Sequence, residues 1–136
     1  MKRIEKVLKE IVKVFKIILG DSIEGFIIVN YEGIIEFINK SYCDFLKIEQ
    51  TKAVGRNVAE IIPSTRVLDV LKSGKEEINW KHQYDDGREV IVNRIPIIVK
   101  GQIVGVLGQV IFRDMNNRSQ ETIKLSKLLE YIKNVK

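Results

Sequence analysis

The 136-residue sequence predicts an α+β fold with the element order helix, β, β, short helices, β, β, β, helix. Three observations lead there. Apolar residues recur at spacings of three and four at both ends of the chain, in 3–19 and again from Ile123 to Val135, which marks amphipathic helices. From residue 76 to Phe112 the period shortens to two. Between these, two apolar runs, Phe26–Val29 and Ile34–Ile38, flank Asn30-Tyr31-Glu32-Gly33, a tetrad whose Asn and Gly tolerate positive φ and therefore close a hairpin.

In chain order, Ile4, Val7, Ile11, Val14 and Ile18 form an a/d heptad seam, widened by Leu8 and Phe15. Two heptads are too short to be stable alone, so this helix needs a surface to cover. Gly20-Asp21 ends it. After the hairpin, Asn39 is placed to cap a helix whose apolar face carries Tyr42, Phe45 and Leu46. Lys47–Lys52 reads as a polar linker, and Val54-Gly55-Arg56-Asn57 opens a helical turn that Pro63 ends. Ser64 or Thr65 caps a further helix, with Val67, Leu68 and Leu71 inward, and Ser73-Gly74 stops it. Residues 76–84 and Glu89–Val99 are strands joined by Asp85-Asp86-Gly87, and Pro96 demands an edge position or a bulge. The last strand, Ile103–Phe112, is apolar on both faces: Val104, Val106, Val110 and Phe112 on one, Ile103, Leu107 and Ile111 on the other. An antiparallel strand normally has one wet face, so a second layer must cover this one, and the N-terminal helix is the candidate. Asp114 caps the final helix, which reaches Lys136 without a stop signal and suggests a longer parent protein.

Composition narrows the function. One cysteine, Cys43, excludes an internal disulfide and a cysteine-based metal cluster, and it fits a cytoplasmic setting. No apolar run approaches the ~20 residues of a membrane span. The net charge of +5 is concentrated on the first helix, in Lys2, Arg3, Lys6, Lys9, Lys13 and Lys16. No aromatic or arginine-rich readout accompanies these lysines, so the stripe reads as a solvated face, with no membrane partner and no direct nucleic-acid binding expected. His82 is the one histidine, and nothing in the spacing sets it against Cys43 or a serine as a catalytic pair. No phosphate-binding or dinucleotide fingerprint is present. An enzyme is not expected.

GFIIVNYEGIIEFIN followed by the Asn39 helix, VGRNVAEIIP, and DDGREVIVNRIPI with GQIVGVLGQVIFRDM together resemble a PAS domain, from about Asp21 to Asp114. The resemblance implies a five-stranded antiparallel sheet, concave toward the short helices. It divides the chain into a dimerisation helix (1–20), the PAS domain (21–114) and a signalling helix (115–136). IIPSTRVLDVLKSGK with VNRIPI is similar to the sensors that precede the ATPase domain of sigma-54-dependent transcriptional activators. Arg113-Asp114-Met115 stands where the family carries Asp-Ile-Thr, which makes Asp114 the expected signalling residue. Haem binding would need a histidine on the Thr65–Ser73 helix, which has none. A flavin adduct would need a cysteine where Val58 stands. No cofactor is therefore expected.

The implied cup is either packed or holds a small ligand. Its expected lining is Trp80, Asn93, Arg94, Arg66, Phe45 and Val106, with Gln109 and Tyr84 nearby. Strand alternation admits only one of Asn93 and Arg94, and an inward arginine would favour a carboxylate or phosphate. The partners expected are a second copy, through Ile4, Val7, Leu8, Ile11 and Phe15, and a C-terminal output domain. The rival readings are a ligand-free structural dimerisation domain and a basic nucleic-acid-binding module.

Overall fold

The structure is a computed structural model that describes residues 2–112 and residue 130, with side chains from Glu5 onward. Helix α1 (Lys2–Leu19) precedes the hairpin β1 (Gly25–Asn30) and β2 (Ile35–Ile38). Four short helices follow: α2 (Lys40–Leu46), α3 (Gln50–Ala53), α4 (Val58–Ile61) and α5 (Val67–Ser73). Strands β3 (Glu77–Gln83), β4 (Glu89–Val99) and β5 (Gln102–Ile111) complete an antiparallel sheet of order β2-β1-β5-β4-β3. The expected C-terminal helix and Asp114 lie outside the described residues.

Local chemistry sets the turns. Asn30 Oδ1 accepts from the backbone N–H groups of Glu32 and Ile34, and Gly33 takes φ +84°. Asn39 does more than cap. Its Oδ1 accepts from Tyr42 N at 3.3 Å and from Phe26 N at 2.9 Å, while its Nδ2 donates to the carbonyls of Leu19 and Glu24. One fully buried amide thus joins the end of α1, the start of β1 and the start of α2. The N-cap of α5 is Arg66 rather than the expected Ser64 or Thr65, and its side chain makes no capping bond; Thr65, one residue earlier, accepts from Val67 N. The stretch read as a linker contains α3, whose residues Gln50–Ala53 are too few to show a period in sequence.

Helix α1 lies across the face of the sheet opposite to the short helices. Leu8, Ile11, Val12, Phe15 and Leu19 pack there with Phe26, Ile28, Phe37, Ile95, Ile97, Val99, Val104 and Leu107. This is the second layer that the doubly apolar β5 requires. The buried stripe is turned from the expected seam: Val7 and Val14 sit at its margin and Ile18 is 59% exposed. The apolar arc of α1 is wider than one contact line, and the sheet takes the side that places Phe15 and Val12 inward. Ile4 belongs to α1, but its side chain lies outside those described.

One correction concerns β5. Val104 packs with Leu107 on the α1 side rather than with Val106, because the β4–β5 register slips between Ile97 and Ile98. Gly105 has no room for a side chain, since a Cβ there would clash with the Val29 carbonyl oxygen. Pro96 lies in the second strand from the edge. Pairing with β3 stops at Arg94, however, so that stretch of β4 has an open side, and its missing N–H costs no ladder bond.

Candidate functional site: a charged relay in the concave face

The other face of the sheet and the short helices enclose a second core, with Ile27, Val29, Ile35, Ile38, Tyr42, Val58, Val92, Val106 and Val110 among its members. Within it a small cavity of about 20 Å³ is lined by Tyr42, Thr65, His82, Tyr84, Arg94 and apolar neighbours. That is room for about one water.

Arg94 is the inward residue. It pairs with Glu77 on β3 and Gly108 on β5, and it is 3% exposed. Asn93 faces the α1 side, where its Oδ1 accepts from Asn79 N and its Nδ2 donates to Gln109 Oε1. Asn93 and Gln109 therefore leave the expected lining, because they occupy the alternate positions of their strands. Val106 is in the cup. Phe45 sits at its rim, against Tyr84 and Phe112, with the Arg88 guanidinium 3.8 Å from its ring centroid. Trp80 is 41% exposed at the sheet edge and carries the Arg66 guanidinium 4.7 Å over its ring. Of the six expected lining residues, Arg94 and Val106 are interior, while Arg66, Trp80 and Phe45 form the margin.

The polar groups make one connected chain. Arg94 Nη1 donates to Glu77 Oε1 at 2.9 Å, and Arg66 donates to the same carboxylate through Nε and Nη2. Arg94 Nη2 donates to His82 Nδ1 at 2.8 Å. Arginine has no acceptor, so Nδ1 carries no proton and the imidazole is the neutral Nε2–H form. Nε2 then donates to Ser64 Oγ at 3.0 Å. Burial, with Arg94 and then Arg66 adding like charge, holds the His82 pKa below its ordinary value. Burial also lowers Arg94, against the pull of Glu77. Glu77 is pushed up by burial, but the Arg66 hydrogen bond and the charges of Arg94 and Arg66 outweigh this and leave it below its usual range. Beside the chain, Tyr42 and Tyr84 hydroxyls meet at 2.9 Å, and burial raises both phenols.

Sequence reasoning missed His82 and Glu77 as partners of Arg94, and Ser64 as the partner of His82. Only the period-two pattern of 76–84 could have placed His82 on the inner face; the Ser64 contact crosses 18 residues and has no local signal. Cys43 is buried, and burial raises its thiol pKa, as suits a small core residue. Among the described residues no group of His, Cys, Asp and Glu is arranged to hold a metal ion.

A five-stranded antiparallel sheet with short helices closing its concave face and a buried charged chain beneath them defines the α+β architecture of this domain. The chain belongs to the PAS domain family, whose model matches residues 23–117. It is 35% identical over 94 residues to a probable C4-dicarboxylate sensor kinase of Halalkalibacterium halodurans, covering 69% of this chain and 17% of that one. It is 31% identical over 121 residues to a signal-transduction and transcriptional-control protein of Clostridium beijerinckii, covering 85% of this chain and 19% of that one. The chain therefore spans about a fifth of the length of the curated relatives it matches. Among solved structures, the E. coli DhaR(N)–DhaL complex gives a TM-score of 0.63 at 16% identity over 76% of this chain and 35% of that one, a likeness of fold.

Proposed function

We propose that this domain is the sensory module of a longer signal-transduction protein. It reads a small carboxylate at Arg94 and passes the change to a C-terminal output domain. The observation that carries this reading is the buried Arg94 guanidinium, held in the cup by a single carboxylate that stands at its margin. A ligand carboxylate would replace Glu77 on Arg94 and need the cup to widen beyond its present 20 Å³. The relative named as a C4-dicarboxylate sensor kinase supports the ligand class. The output domain we propose is that of a sigma-54-dependent regulator, on the resemblance of IIPSTRVLDVLKSGK and on the transcriptional-control relative. Asp114 is the proposed coupling residue.

The proposal includes a homodimer. Leu8, Ile11 and Phe15 are committed to the chain's own sheet, so the proposed seam between copies moves to Val7 with Val14 and Ile18, which border them on α1. Calorimetric titration with succinate, malate and citrate tests the ligand. Binding by the parent protein that is lost in Arg94→Gln supports it. A folded protein that binds none of them leaves the second reading, a ligand-free dimerisation module, which the small cavity favours.

A further inference from the structure

The core of α1 accounts for one side of the helix and leaves its opposite side unexplained. Lys6, Lys9, Lys13 and Lys16 are all exposed and recur at spacings of three and four, which gathers them within about 80° around the helix. None makes an ion pair among the described residues, whereas Arg56, Arg66, Arg88 and Arg94 and the lysines Lys40, Lys52 and Lys81 each meet a carboxylate. On the edge of the same face, one turn beyond Lys13, stands Ile17 at 86% exposure. Ile23, in the segment before β1, is 62% exposed. An isoleucine at the solvent pole of a helix contributes nothing to this core.

We propose that the outer face of α1 adsorbs to an anionic lipid bilayer, with the four lysines over the headgroups and Ile17 entering the boundary with the acyl chains. Two features favour a bilayer over a nucleic acid. The outer face has four lysines and one exposed acid, Glu10, but no arginine, aromatic or amide reader; Phe15, the aromatic of Lys6–Ile17, is buried on the sheet. An exposed aliphatic side chain gains free energy in an interface and nothing against a phosphodiester backbone. The helix does not insert its broad apolar face, because Leu8, Ile11, Phe15 and Leu19 are buried on the sheet. Adsorption is accordingly shallow, electrostatic and reversible by salt, with each lysine adding attraction to the negative surface. The outward Ile17 becomes visible only once the buried side of α1 is known. No helix among the described residues is long and apolar enough to cross a membrane, so adsorption is the only membrane contact proposed.

Co-sedimentation of the full chain with vesicles of phosphatidylcholine, with and without phosphatidylglycerol, tests this. Binding is expected only to the phosphatidylglycerol vesicles and is lost as salt rises from about 0.1 M to about 1 M. The variant Lys6→Gln/Lys9→Gln/Lys13→Gln/Lys16→Gln should bind about a thousand-fold more weakly. Ile17→Ser should bind about tenfold more weakly with an unchanged salt dependence. All five side chains are exposed, and the salt series on the unaltered protein does not depend on any variant folding. No binding to phosphatidylglycerol vesicles, equal binding to pure phosphatidylcholine, or full binding by the lysine variant overturns the proposal. So does duplex DNA binding tighter than vesicle binding and indifferent to Ile17→Ser.

Discussion

Arg94 donates to Nδ1 of His82 at 2.8 Å, and this bond keeps the imidazole neutral. A proton on Nδ1 would set a donor against a donor and one cation against another. The pair joins β3 to β4 across the floor of the cup, and through Ser64 it reaches the segment before α5.

The first consequence is a pH dependence. The folded-state pKa of His82 lies below its ordinary 6.5, so the unfolded chain takes up its proton first as pH falls. The stability due to this residue is complete above about pH 6.5 and declines below it. Glu77, held below its ordinary 4.5, adds a further loss only as pH falls below that value. Denaturant midpoints between pH 7 and 5 should fall for the parent protein and stay flat for His82→Gln. Parallel curves would mean that His82 titrates alike in both states.

Glu77 neutralises a guanidinium that is almost wholly buried. Glu77→Gln should destabilise the domain by about 3–5 kcal/mol, because Arg94 is left without its counter-charge. Glu77→Gln/Arg94→Met should recover much of that loss in urea unfolding. Equal losses in the single and double variants would show that the pair carries no coupling.

Asn39 binds three segments through one side chain. Asn39→Ala should cost about 3 kcal/mol, more than the ~1 kcal/mol of an ordinary helix cap, because it also orphans Phe26 N. A thermal melt that shows only the loss of a cap would reduce Asn39 to that role.

Phe15 is fully buried under the sheet. Phe15→Ala should cost about 3–5 kcal/mol, and removal of residues 1–19 should give an aggregating protein by light scattering. The proposed dimer is tested separately by Val7→Ser/Val14→Ser/Ile18→Ser, which should be a folded monomer in sedimentation. A dimer that survives these changes uses another surface.

Asp114→Ala in the longer parent protein should leave the domain folded and uncouple its output. An output that still responds to the signal would limit Asp114 to capping.

Much of the fold was legible because its signals are local. Asn30 and Gly33 close a turn by bonds within a few residues, and Asn39 caps the helix that begins beside it. The alternation of β4 and β5 announced strands, and the doubly apolar β5 announced a second layer. Helix α3 escaped because its four residues make about one turn with no apolar repeat, whereas the equally short α4 was marked by Asn57 before it and Pro63 after it.

What remained to the tertiary structure was every choice between equivalent faces. Sequence restricted the cup to either Asn93 or Arg94; strand register decided for Arg94, since a shift of one residue exchanges the two sides. Sequence made α1 amphipathic, but docking on the sheet decided that Leu8, Ile11, Val12, Phe15 and Leu19 are buried and that Ile17 faces outward. The contacts of Arg94 with His82, of His82 with Ser64 and of Glu77 with both arginines join residues 11–18 positions apart. Period and propensity act along the chain, whereas such contacts exist only once the sheet has brought the strands together.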